Sequence, residues 1–299
     1  MSAQRLLRWA LRAASGCGAG LRRALPVLAV ALLAGCSAVQ FGYRNADTLV
    51  RWQANAYFDF EGAATEERDR RIAAFLAWHR ARALPQYARL ADEASSRAAR
   101  PLSREDLVWG YDAIRGQLRE GLRAAAAESA PLLDRLTPEQ LAHFERRLAE
   151  DNRKFAKEQL AGSAEDRRKR RLKRNLERLE DWVGTLTEAQ VERVRQYSER
   201  APASEALRDR DRKRRQAELL AMLRAREATR RLPQWAADWD GGREPAYAEA
   251  AKTQLALYMD LLLDLDRTLS PAQREHLVRH LKGYAEDFAA LAREAGAAK

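Results

Sequence analysis

From residue 45 onward, apolar residues recur three and four positions apart almost without interruption, the spacing that gathers them on one face of a helix. Leu49, Trp52, Ala56 and Phe60 form one such stripe, and Ile72, Phe75, Leu76 and His79 the next. Leu141, Phe144, Leu148 and Phe155 follow, then Leu172, Leu176, Leu179 and Val183, and finally Leu277, Leu281, Tyr284, Phe288 and Leu291. No sustained two-residue alternation competes with them. Breaks fall at Gly62, Pro85, Pro101, Pro131, Gly162, Gly184, Pro202, Pro233, Gly241-Gly242 and Pro271. The pattern predicts an all-α fold of roughly eight to ten helices in a bundle whose stripes make the core. Pro85 and Pro233 stand inside stripes and are expected to kink helices rather than end them.

One short pattern recurs at the start of stripes: Leu136-Thr137-Pro138-Glu139-Gln140, Leu186-Thr187-Glu188-Ala189-Gln190 and Leu269-Ser270-Pro271-Ala272-Gln273. A hydroxyl can cap the helix N-terminus, and a Gln three positions later can return a hydrogen bond. In two copies Pro takes the first helical position. Leu136 can pack on Leu141 and Leu186 on Val191, whereas the third copy has Arg274 in that place. Local capping explains the motif. L-T-x-x-Q also resembles the signature of the small helical periplasmic stress chaperones, which carry two copies within a curved helical dimer. That resemblance implies a compartment and an activity class, but no binding residue.

The first 35 residues follow a different pattern. Arg5, Arg8, Arg12, Arg22 and Arg23 stand without any acidic residue and are followed by the apolar run from Leu25 to Gly35. A basic segment, a short apolar run and small residues before a cut site are the parts of an export signal. The run falls short of the roughly 18 to 20 residues a spanning helix needs. Leu33-Ala34-Gly35-Cys36 is similar to the lipobox of bacterial lipoproteins, in which the Cys thiol and the new amine are acylated after cleavage. The resemblance implies a signal peptide over 1–35, a lipidated Cys36, a tether over 36–44 and a helical domain over 45–299. Ser37 rather than Asp implies sorting to the periplasmic face of a Gram-negative outer membrane. Cys17 lies in the leader, so the mature chain keeps one Cys.

Setting the leader's five arginines aside lowers the formal net charge from +11 to +6, which with this address argues against nucleic acid as a partner. The densest basic run is Arg167-Arg168-Lys169-Arg170-Arg171 with Lys173 and Arg174. Glu165, Asp166, Glu177 and Glu180 flank it, so a solvated, partly paired helix face is one reading. Contact with anionic lipid headgroups or glycolipid phosphates is the other. His276 and His280 share a face, but no HExxH, HxxEH or Cys set accompanies them. With no GxSxG, phosphate-cradling Gly loop or mature free thiol, neither an enzyme nor a cofactor is expected.

A second repeat sets Leu84-Pro85-Gln86-Tyr87-Ala88 against Leu232-Pro233-Gln234-Trp235-Ala236. Its order relative to the L-[TS]-P-x-Q motifs suggests two related halves, 45–200 and 204–299. The blocks Asn45 to Trp52, Tyr57-Phe58-Asp59 and Trp78-His79-Arg80 are similar to an uncharacterised family of helical proteobacterial lipoproteins, which implies no activity. Two function classes follow: a chaperone-like module that binds protein clients, or an adaptor that binds anionic envelope components or a partner protein through a basic face.

Overall fold

The computed structural model describes residues 38–297, so Cys36 and the leader lie outside the described residues. Its helices are α1 (Ala38–Arg44), α2 (Ala46–Phe58), α3 (Gly62–Trp78), α4 (Leu84–Ala98), α5 (Arg104–Leu133), α6 (Pro138–Phe155), α7 (Ala164–Val183), α8 (Glu188–Arg200), α9 (Glu205–Arg224), α10 (Ala228–Ala237), α11 (Pro245–Asp266) and α12 (Pro271–Ala297). The fold is all-α, with no strand among the described residues. No described helix is long and apolar enough to cross a membrane. Of the described residues, 38–48 belong to one unit and 49–297 to a second. In the first, the stretch expected as a tether is helical from Ala38, with Asn45 Nδ2 donating to the Phe41 carbonyl at 2.8 Å.

The second unit is built from helical hairpins that meet in pairs. Its first core joins the end of α5 (Ala126, Ala130, Leu133) to Leu136, Phe144 of α6, Met222 and Leu223 of α9, and Ala228 and Leu232 of α10, with Phe60 from the α2–α3 turn. Its second joins Leu179 and Val183 of α7, Leu186, Val194 and Tyr197 of α8, and Leu261 and Leu265 of α11. Along the other edge α12 lies against α4 and crosses α7. Both cores draw residues from either side of 200–204, so that break does not separate two packing units.

Local chemistry accounts for several departures from the sequence pattern. Pro85 has no N–H to give a carbonyl one turn back; ahead of it, His79–Ala83 widens into a π turn, and the Leu84 N–H reaches the His79 carbonyl. Pro131 lies inside α5 rather than at a break, whereas Pro233 lies inside α10, a helix it does not end. The α9–α10 turn has no Gly or Pro to announce it, and Arg226 adopts φ 55° there. Gly184 ends α7 with φ 81°, a conformation that favours glycine, while its N–H still donates to Glu180. The first stripe is corrected: Leu49 and Trp52 are 57% and 68% exposed, and α2 joins the core only from Ala54 onward.

Candidate functional site

The three hydroxyl–Gln motifs start α6, α8 and α12. In each, the Gln backbone N–H donates to the hydroxyl and the Gln side-chain oxygen accepts from the N–H of the capping residue: Thr137 with Gln140, Thr187 with Gln190, Ser270 with Gln273. What the Gln Nε2 does differs. Gln190 and Gln273, 1% and 9% exposed, face each other as a reciprocal amide pair with bonds of 3.1 and 2.9 Å. Each also donates across to the other turn, Gln190 to the Thr268 carbonyl at 3.1 Å and Gln273 to the Thr185 carbonyl at 2.8 Å. Both amides thereby use two donors and two acceptor positions, the full capacity of the group. Gln140, half-buried, donates instead to the Asp59 carbonyl at 3.3 Å.

Arg274, which replaces the apolar staple in the third motif, has a tertiary role. It donates to the Ala98 and Arg100 carbonyls at 3.0 and 2.9 Å and pairs with buried Asp266, which in turn accepts from the Leu102 N–H. The last carbonyl of α4 and that of Arg100 beyond it are thus held by the first turn of α12.

The basic run does not present one face. Arg167 donates to the Gly162 carbonyl at 2.7 Å and Arg170 to the Ala161 carbonyl, closing the preceding chain end. Arg171 is buried; it donates to the Ala201 carbonyl at 2.7 Å and pairs with Glu205 at 3.2 Å. Lys169 is exposed and pairs with Glu165 at 2.7 Å, while Arg168 and Lys173 are exposed. Arg167, Arg168 and Arg171 line a cleft of about 210 Å³ with Glu199. Three- and four-residue spacing gathers Arg167, Arg170, Arg171, Arg174 and Arg178 on the side of α7 away from Leu172, Leu176, Leu179 and Val183. Burial, and after it crowding by Arg170, Arg171 and Arg178, lowers the Arg174 pKa from its ordinary value, with Glu205 opposing.

His276 and His280 stack with centroids 6.1 Å apart, and His280 meets Trp182 and Tyr284 edge-on at 4.8 and 5.0 Å. Burial, then His276, lowers the His280 pKa, with Asp181 opposing. No group of three or more potential metal ligands occurs among the described residues.

Buried and half-buried carboxylates are the sites that the sequence reading passed over. Asp106 closes a capping box with Ser103 and pairs with Arg97 and Arg100. Asp134 accepts from the Ala228 and Thr229 N–H groups and so caps α10 from another hairpin. Asp240 pairs with Arg115 and Arg119. The S-x-x-D spacing was the available signal for Asp106, and for Asp166 after Ser163. No local pattern marks Asp134 or Asp240, whose partners are about a hundred residues or more away.

No curated protein and no solved structure matches the chain. The family of unknown function DUF6279 matches residues 56–235, more than half of the chain, which reach from the end of α2 into α10 and include the Thr137 and Thr187 motifs and the basic run, and the chain belongs to that family.

Proposed function

We propose that this protein is a non-enzymatic lipoprotein of the Gram-negative envelope, held at the periplasmic face of the outer membrane by acyl chains on Cys36, and that it binds anionic envelope components through α7. The carrying observation is that helical spacing brings Arg170, Arg171, Arg174 and Arg178 to one side of α7, where Arg171 pairs with Glu205 and Arg170, Arg171 and Arg178 crowd Arg174. A phosphate group relieves that crowding, and the guanidinium fork suits it. Each basic residue near an anionic surface contributes about 1 kcal/mol, and a tether on the same membrane keeps the surface within reach.

Changing Arg170, Arg174 and Arg178 together to Gln leaves the buried Arg171 in place. The variant is expected to lose most of its salt-sensitive binding to vesicles containing phosphatidylglycerol or lipopolysaccharide, measured by co-sedimentation. Equal binding by variant and parent would count against the basic face. The anchor is tested separately. Radiolabelled palmitate is expected to enter the full chain in cells and to stop entering Cys36→Ala; unchanged labelling would remove the anchor from the proposal.

A second reading, chaperone-like binding of protein clients, is supported by Val108, Ile114 and Leu118 on α5, which are 41%, 70% and 42% exposed. Suppression of light scattering by an aggregating client, abolished when these three become Ser, would favour it over the adaptor reading.

A further inference from the structure

The α7–α8 and α11–α12 hairpins meet turn to turn, and the Gln190–Gln273 pair lies where their turns cross. The α2–α3 and α5–α6 hairpins are arranged in the same way: α3 runs beside α5, and Tyr57 and Phe58 of α2 pack on Phe144 of α6. The equivalence extends to single groups. Gln190 and Gln273 each donate to the carbonyl just before an apolar residue of the opposing turn, Thr268 before half-buried Leu269 and Thr185 before buried Leu186. Gln140 donates to Asp59, just before buried Phe60. Asp59 to Ala64 therefore stands where a fourth motif would be, with Glu61 in the hydroxyl position and Ala64 in the Gln position. Glu61 makes no side-chain cap, and Gly62 takes φ 53°.

With Ala at 64, the place of the second amide is a cavity of about 240 Å³, walled by Phe60, Ala64 and Leu132 and open to Gln140. We propose that this cavity takes the side-chain carboxamide of a glutamine presented by a partner polypeptide. Gln140 Oε1 accepts from the Thr137 N–H and its Nε2 donates to Asp59, which leaves one acceptor position and one N–H, side by side. In the Gln190 site those same two positions hold the amide of Gln273, so the chain itself supplies the template. A carboxylate would set an oxygen against Oε1, and an ammonium would leave the Nε2 hydrogen unmet. The charged residues of the wall, Glu67 and Arg135, are ion-paired with each other, which suits a neutral polar group. The cavity is below the roughly 300 Å³ at which pockets for drug-sized molecules begin, and is of side-chain scale. This inference does not depend on the basic face of α7.

The test follows the Gln140 side-chain amide by NMR in the full chain, labelled at glutamine Nε2, with its signals identified by their loss in Gln140→Met. The probes are three blocked peptides ending in N-methylamide and differing only in a central Gln, Glu or Met. The Gln peptide is expected to shift the Gln140 signals saturably, and the Glu and Met peptides to bind at least about tenfold more weakly, as a site built to meet a hydrogen-bonding group rejects analogues that lack it. Ala64→Gln fills the place from within and is expected to abolish the response while raising the melting temperature. Equal response to all three peptides, no response to the Gln peptide, or undiminished binding by Ala64→Gln would overturn the proposal. Should the Gln190 and Gln273 signals show that Ala64→Gln is misfolded, Gln140→Met decides instead: fluorescence anisotropy of labelled peptides is expected to show its preference for Gln over Met lost, and a retained preference would be equally fatal.

Discussion

Gln190→Ala is expected to destabilise the protein by about 3 to 4 kcal/mol, several times the cost of the same change at Gln140. Gln190 is 1% exposed and takes part in the cap on Thr187, the reciprocal pair with Gln273 and the bond to the Thr268 carbonyl. Its removal leaves the Gln273 amide and the Thr268 carbonyl buried without their partners, and that desolvation is the larger part of the loss. Gln140 performs the same local cap in a more accessible setting, where water can replace what is lost, so about 0.5 to 1 kcal/mol is expected. The double variant Gln190→Leu with Gln273→Leu separates pairing from capping. Both amides then leave together, and the summed losses of the single variants Gln190→Leu and Gln273→Leu are expected to exceed the double loss by about 1 to 2 kcal/mol. Urea melts of the four proteins measure this; additive losses would mean that the two motifs act only as separate caps.

That contrast shows where sequence reasoning reaches its end. The T-x-x-Q spacing announces a cap because both of its bonds close within four residues. It is silent on the partner of the Gln Nε2, since Thr268, Gln273 and Asp59 lie some eighty residues from the amides they meet. The helical stripes were legible for the same reason as the caps, their period being a property of the backbone. Leu49 and Trp52 carry that period and remain exposed, because a stripe states which residues face together and not whether another helix covers them. The basic run was misleading as a run. Its charges divide among carbonyls at Ala161, Gly162 and Ala201, a carboxylate at Glu205 and solvent, and helical spacing extends the basic side to Arg178, beyond the contiguous cluster.

The second large effect is expected at Asp106, where Asp106→Asn should cost about 2 to 3 kcal/mol at neutral pH. The carboxylate side chain is 4% exposed and is met by the Ser103 N–H at 2.9 Å, by Arg97 at 2.9 Å and by both Nη atoms of Arg100 at 2.8 and 2.9 Å. An amide keeps the shape and one acceptor but loses the charge, and it turns an N–H toward a guanidinium. The hydrogen bonds from Arg100, then the Ser103 backbone, hold the Asp106 pKa well below the usual carboxylate range, with burial opposing them. A depressed folded value means that the folded state favours the ionised form, so the stabilisation is complete above the unfolded carboxylate value of about 3.9 and is lost as pH falls through the folded one. The difference between parent and Asp106→Asn should therefore be level from neutral pH to about 5 and shrink below about 4. Taking the difference cancels the titration of carboxylates common to both proteins. A gap that stayed constant to strongly acid pH, in denaturant melts at a series of pH values, would assign the cost to packing of the α5 N-terminus rather than to the Asp106 charge. The Arg97 guanidinium also sits 4.2 Å over the Trp109 ring, so Trp109 fluorescence reports whether the variant releases Arg97 from its place.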